Sequence, residues 1–253
     1  MSDIFFDELE IPKPDYNLNV GSNSHAIQTA EIMKGCEQFF IENNPSLIIV
    51  YGDINSCVAA ALVASKMHIP IAHIESGLRS YDNKMPEEIN RIVTDSISDI
   101  LFLTSPDALD NLNKEGVDEN KCHLVGNTMI DSLVRLNEKF DDSRILEKLD
   151  LEKKSYALIT LHRPSNVDNK EDLERMMDSL LMITDKMECV FPIHPRTENN
   201  LCRFGIYDKY ASDERFNMIN PLGYIDFMNL KKNAKVIITD SGGTATLSNI
   251  DAL

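Results

Sequence analysis

The stretch from Ala72 to Arg91, AHIESGLRSYDNKMPEEINR, sets two groups of carboxylates beside arginines. Glu75 follows directly on the apolar run IPIAHI, and Glu87 and Glu88 follow Pro86 at the start of a helix-like segment. A further carboxylate, Asp53, comes after the apolar run LIIVY and Gly52. Carboxylates that converge on one cleft push one another's pKa apart, so that one accepts a proton while another donates it. Each also has a structural account. Asp53 can cap the helix that begins near Ser56, and Glu87 and Glu88 can complement a helix dipole. Glu75 is harder to explain that way, because it sits where the burial of a strand still applies.

A second set of residues suits anions. LHR and HPR each place a histidine near an arginine: His162 with Arg163, and His194 with Arg196. Such pairs donate to phosphate or carboxylate oxygens. In TDSGG, residues Ser241, Gly242 and Gly243 let bare backbone N–H groups approach a phosphate, although a tight turn has the same composition. Arg79 follows the glycine of ESG, and Arg91 is placed to pair with neighbouring acids.

These residues stand at the ends of short, nearly continuous apolar runs: 47–51, 69–74, 99–104, 122–126, 156–161, 189–194 and 235–240. That pattern belongs to parallel strands covered on both faces. Helix-like segments alternate with them. PEEINRIVTDSIS carries proline and acids in its first turn, SPDALDNLNKEG runs from a serine cap to a glycine, and SCVAAALVASKM is rich in alanine. The expected fold is therefore α/β with parallel sheets, whose ligands bind beyond the carboxyl ends of the strands. The charged, apolar-poor stretch 137–155 interrupts the rhythm and predicts two βα domains, residues 1–145 and 146–253, with a cleft between them.

Composition narrows the partners. The 253 residues are 43% hydrophobic, with 25 basic against 41 acidic side chains and a net charge of −16. This balance disfavours a general nucleic-acid surface and docking on anionic lipid. No apolar run is long enough to span a bilayer, and the acidic, proline-broken start is not a secretory signal. Five scattered cysteines without a C-x-x-C pair predict neither a zinc site nor a disulfide framework, and fit a reducing cytoplasm.

YGDINSCVAAALVASKMHIPIAHIESGLRSYDNKMPEEINR, GNTMID, LHRPSNVDN, FPIHPRT and ITDSGG together resemble the non-hydrolysing UDP-N-acetylglucosamine 2-epimerases, collinearly from about Met1 to Gly243. The resemblance implies a GT-B-like pair of Rossmann-like domains. It implies interconversion of UDP-N-acetylglucosamine and UDP-N-acetylmannosamine by elimination of UDP and its re-addition. No cofactor or metal is implied. By motif, Asp53, Glu75 and Glu87 match the catalytic carboxylates, and His162 the histidine that assists UDP departure. Arg79, Arg163, His194, Arg196, Ser241, Gly242 and Gly243 would hold the nucleotide. A cytoplasmic homodimer serving polysaccharide synthesis completes the expectation.

The sequence also departs from that family. It has no opening strand with a G-T-R-P-E loop. It reads HRPSN, with Ser165 where glutamate is common, and the double glycine leads into GGTATLSNIDAL. Both Rossmann-like domains are therefore expected to be incomplete, as in a chain truncated at both ends. The alternatives are an inactive remnant, a hydrolysing epimerase or a GT-B glycosyltransferase.

Overall fold

A computed structural model describes residues 8–240. The chain forms two compact units, each built on a parallel sheet of four strands.

The first unit comprises residues 14–132. Helix α1 (His25–Asn43) starts at Ser24, whose hydroxyl accepts from the Ile27 N–H, and ends at Asn44 in the left-handed conformation. Strand β1 (Ile48–Tyr51) leads into α2 (Asn55–Lys66), and β2 (Ile71–Ser76) into α3 (Pro86–Ile97). Then come β3 (Ile100–Leu103), α4 (Pro106–Lys114), β4 (Cys122–Leu124) and α5 (Thr128–Asp141). The strands lie in the order β1-β2-β3-β4. The alanines of α2 have a packing role: Ala59, Ala61 and Ala64 are fully buried, in one apolar cluster with Ile32 and Phe40 of α1, Val50 of β1 and Ile71 of β2.

After α6 (Ile145–Lys148), the second unit carries β5 (Tyr156–Thr160), α7 (Pro164–Val167), α8 (Lys170–Leu181) and β6 (Glu188–Pro192). It continues through α9 (Pro195–Arg203), α10 (Tyr207–Ala211), β7 (Phe216–Ile219), α11 (Tyr224–Asn233) and β8 (Val236–Thr239). Its order is β7-β6-β5-β8, all parallel. Tyr156, Leu158, Ile159, Val190 and Phe191 are fully buried, as the continuous apolar runs predict. Strand β7 escapes that pattern because Asn217 interrupts its apolar run FNMI.

The boundary lies earlier than the charged stretch suggests. The first unit ends at residue 132 rather than 145, and residues 8–13 belong with 133–240. The reason is packing. The second half of α5 buries Leu136 and Phe140 with Met228 of α11, and Asn229 donates to the Phe140 carbonyl at 2.6 Å. The Glu8 carboxylate accepts from the Tyr224 N–H at 2.7 Å at the start of α11. A few apolar anchors thus turn a stretch that reads as a linker into part of a core.

Among the described residues β1 pairs only with β2, and Ile49 and Tyr51 are 60% and 46% exposed. An apolar strand edge of this kind templates association. Ile49→Lys is expected to lower self-association in sedimentation experiments while changing stability by no more than about 0.5 kcal/mol, the usual range for a surface substitution.

Candidate active site

The carboxyl edge of the first sheet is shaped by backbone strain. Glu75 has φ +68°, the left-handed region that a non-glycine residue seldom adopts. The β2–β3 register runs Ile74 to Phe102 and then Ser76 to Leu103, so Glu75 is the extra residue of a bulge. Holding a side chain there costs about 1–3 kcal/mol. The bulge aims the carboxylate across the strand ends, where the Tyr51 hydroxyl donates to Oε1 at 3.2 Å and also bonds the Thr128 hydroxyl. Gly52, at φ +75°, passes so close that a Cβ there would stand 3.5 Å from Glu75 Oε2. Burial pushes the Glu75 carboxyl above its ordinary pKa; Tyr51 opposes the shift and the negative charge of Asp53 adds to it.

Asp53 follows Gly52 at the tip of β1. Its Oδ2 accepts from Arg91 Nε at 2.9 Å, and its carbonyl accepts from Asn90 Nδ2 at 2.8 Å. Arg91 therefore pairs with local acids, bridging Asp53 and Glu88. Glu88 is 1% exposed and accepts the backbone N–H groups of Ser80 at 3.0 Å and Tyr81 at 2.8 Å. Burial alone would raise its pKa, but these donors and Arg91 outweigh it and hold the carboxyl below the usual range. Glu87 instead lines a concavity of about 410 Å³ with His25, Gln28, Asn55 and Asn90.

Arg79 departs from its expected place. Its side chain is 1% exposed, and its donors are committed to protein acceptors. It donates to Asp95 Oδ2 and the Leu78 carbonyl at 2.7 Å each, and through Nε and Nη2 to Glu115 at 2.8 and 2.7 Å. Burial works against its charge, but Glu115 and Asp95 overcome it and hold the pKa above its usual value. A guanidinium so enclosed braces the loop after β2 instead of presenting itself to a nucleotide.

In the second unit, His162 and His194 follow the adjacent strands β5 and β6, and their rings lie 5.4 Å apart. Asp240 follows β8 and gathers this edge. Its carboxylate accepts from the His162 N–H at 3.0 Å, the Arg163 N–H at 2.8 Å and Asn166 Nδ2 at 3.1 Å. His162 Nδ1 lies 3.2 Å from Asp240 Oδ1. His194 caps α9, its Nδ1 accepting from the Arg196 N–H at 3.1 Å. Burial, with the charges of His162 and Arg196, lowers the His194 pKa, which favours the neutral ring this cap requires. Arg163 is exposed, and its Nε donates to the Asp240 carbonyl. Arg196 makes a two-point pair with Asp168 at 2.8 and 2.6 Å. Ser241, Gly242 and Gly243 lie outside the described residues.

Burial would raise the Asp240 pKa, but its backbone donors dominate and the pKa is lowered. The folded state thus binds this proton less tightly than the unfolded chain. The stabilisation is complete above the unfolded value, about 4, and is lost as pH falls through the depressed folded value. In thermal melts the gap between wild type and Asp240→Asn is expected to be widest at neutral pH and to close in acid. A gap independent of pH would contradict this.

All five cysteines are free. Among the described residues no cluster of three or more His, Cys, Asp or Glu side chains could hold a metal ion, and no helix is long and apolar enough to cross a membrane.

Residues 1–246 match the family model for UDP-N-acetylglucosamine 2-epimerase. The chain belongs to the UDP-N-acetylglucosamine 2-epimerase family. A UDP-N-acetylglucosamine 2-epimerase homolog of Methanococcus maripaludis is 47% identical over 246 residues, covering 96% of this chain and 68% of the relative. The crystal structure of the Methanocaldococcus jannaschii UDP-GlcNAc 2-epimerase in complex with UDP-GlcNAc and UDP superposes with a TM-score of 0.87 at 42% identity, covering 96% of this chain and 68% of that one. A Pseudomonas aeruginosa UDP-2,3-diacetamido-2,3-dideoxy-D-glucuronate 2-epimerase is 39% identical over 246 residues, with 96% and 67% covered. The GT-B-like arrangement expected from the motifs is therefore the family's, in a chain that spans about two thirds of these relatives' length.

Sequence reasoning singled out Asp53, Glu75 and Glu87 and read Glu88 as a complement to the helix dipole, but overlooked Tyr51, His73 and Asp95. A signal for Glu88 and Asp95 together exists. Glu88, Arg91 and Asp95 fall at i, i+3 and i+7 on α3, a charged stripe on one helical face. Such a stripe ordinarily faces water; here Glu88 and Asp95 are buried.

Proposed function

We propose that this chain interconverts UDP-N-acetylglucosamine and UDP-N-acetylmannosamine through elimination and re-addition of UDP. The observation that supports this most is Glu75, a carboxylate of raised pKa held on a strained bulge beside Asp53. Removal of the C2 proton requires a positioned base, and a raised pKa makes a carboxylate the stronger one. In this reading Glu75 and Asp53 transfer protons, and Glu87 orients the sugar or stabilises charge at C1. His162 assists departure of UDP. Arg163, His194 and Arg196, with Ser241, Gly242 and Gly243, hold the nucleotide, and Arg196 would first have to leave Asp168. Pairing of positive and hydrogen-bonding groups with the departing diphosphate follows ordinary electrostatic catalysis. The same reading carries a cytoplasmic homodimer that feeds polysaccharide synthesis.

The Pseudomonas aeruginosa relative favours a second substrate, a UDP-diacetamido uronate, for the same reaction class. Both sugars belong in one experiment: incubation in deuterated water with detection of C2 deuterium, epimer and free UDP. Deuterated epimer supports the proposal. Free N-acetylmannosamine with stoichiometric UDP would assign a hydrolysing enzyme. Neither product, from folded protein, would overturn the active-enzyme reading.

A further inference from the structure

The carboxylate edge rests on a histidine that touches none of its carboxylates. His73 lies two residues before Glu75 in β2 and is fully buried. Its Nδ1 meets Asp95 Oδ1 at 2.7 Å, and its Nε2 meets the Gly52 carbonyl at 2.9 Å. Both partners only accept, so both contacts are made when each ring nitrogen carries a hydrogen. Asp95 spends its second oxygen on the Gly77 N–H at 3.1 Å and on Arg79 at 2.7 Å. Arg79 in turn is anchored by Glu115.

The ends of this network are informative. Gly52 and Gly77 are left-handed glycines, at φ +75° and +78°, and they stand beside Asp53 and Glu75. One side of His73 therefore fixes the peptide that leads into Asp53. The other side, through Asp95, fixes the turn that follows Glu75. The Gly52 N–H also bonds the Ile74 carbonyl at 3.0 Å, so the peptides leading to the two carboxylates are tied to each other.

We propose that His73 is a positioning residue for the epimerase reaction: its bond to the Gly52 carbonyl sets the register of Asp53 against Glu75. The proposal rests on the epimerase reading above, in which those carboxylates move the C2 proton. A carboxylate displaced by about 1 Å loses on the order of 10²-fold in rate, without a matching loss of binding.

Two variants separate positioning from bulk structure. His73→Asn keeps an amide donor where Nδ1 was and retains Asp95, but it is too short for Gly52. His73→Gln places its donor where Nε2 was, retains Gly52 and releases Asp95. Each loses one buried hydrogen bond, and because the bond to the Asp95 carboxylate is the stronger one, His73→Gln is expected to be the less stable of the two. Their turnover is expected to part: His73→Asn loses about 10²-fold in kcat at little changed KM, and His73→Gln stays within about tenfold of wild type. Equal kcat in the two variants, whether lost together or kept together, would overturn the proposal.

If wild type itself gives no C2 exchange, the epimerase reading has failed, and the pin is then read directly. Amide hydrogen exchange at Gly52 and Asp53 should be faster in His73→Asn than in His73→Gln, by about tenfold or more. Equal rates would overturn it. Should either variant fail to fold, nitrogen NMR of wild type decides: a hydrogen on His73 Nε2 supports the pin, and a bare Nε2 overturns it.

Discussion

Glu75→Gln is expected to slow deuterium incorporation at C2 of UDP-N-acetylglucosamine by about 10²–10⁴-fold, the range for loss of a general base, with nucleotide affinity nearly unchanged. The substitution isolates the proton. Glutamine has the size of glutamate, tolerates the bulge equally, and still offers Oε1 to the Tyr51 hydroxyl 3.2 Å away. What it lacks is the lone pair that takes the C2 proton. The pH profile gives a second, independent reading. Burial raises the Glu75 pKa, so the acid limb of kcat/KM should lie above the ordinary glutamate value of about 4.3. Activity rises as pH climbs through that limb, because the base works only when ionised. A variant with wild-type exchange, or an acid limb at or below the ordinary value, would move the base to Asp53.

Arg79→Met is expected to destabilise the first unit by about 3–5 kcal/mol, the usual consequence of removing one partner from a buried charge network. The side chain that resemblance assigns to the nucleotide is 1% exposed, with Asp95 and Glu115 as its partners. Removing it leaves the buried Asp95 carboxylate with His73 and the Gly77 N–H but without the guanidinium, and strips the buried end from the Glu115 pair. Chemical denaturation measures the loss. Nucleotide affinity of the molecules that remain folded should be unchanged. Arg163→Met makes the contrast, since that side chain is exposed: affinity for UDP should fall with little loss of stability. Weak UDP binding by Arg79→Met at wild-type stability would return Arg79 to the nucleotide site.

Much of the architecture is legible in the sequence for one physical reason. Strands buried on both faces need apolar side chains at every position, so runs such as YALITL and CVFPIH stand out from the helices between them. The same burial makes a polar residue at a strand mouth conspicuous, which is how Glu75, Asp53 and His162 are found. The pattern is lost where burial and polarity part company. Strand β7 is broken by the polar Asn217 and does not register, and the end of α5 falls in the charged stretch 137–155 although Phe140 is 2% exposed.

The sequence by itself determined the α/β class, the parallel strands and the carboxylates at their ends. Through its motifs it also pointed to the family that the comparisons establish. These depend on local pattern and composition, which travel with the chain. Only the tertiary structure decided which charged residues are buried and what they pair with. Arg79 and Glu88 look like Arg163 and Glu87 in a one-dimensional pattern. Yet the first two are buried among donors and acceptors up to 36 residues away, while Arg163 is exposed and Glu87 lines a concavity. The pKa of a carboxylate and the job of a guanidinium depend on the dielectric and the partners around them, and those are set by packing between segments that the sequence keeps apart.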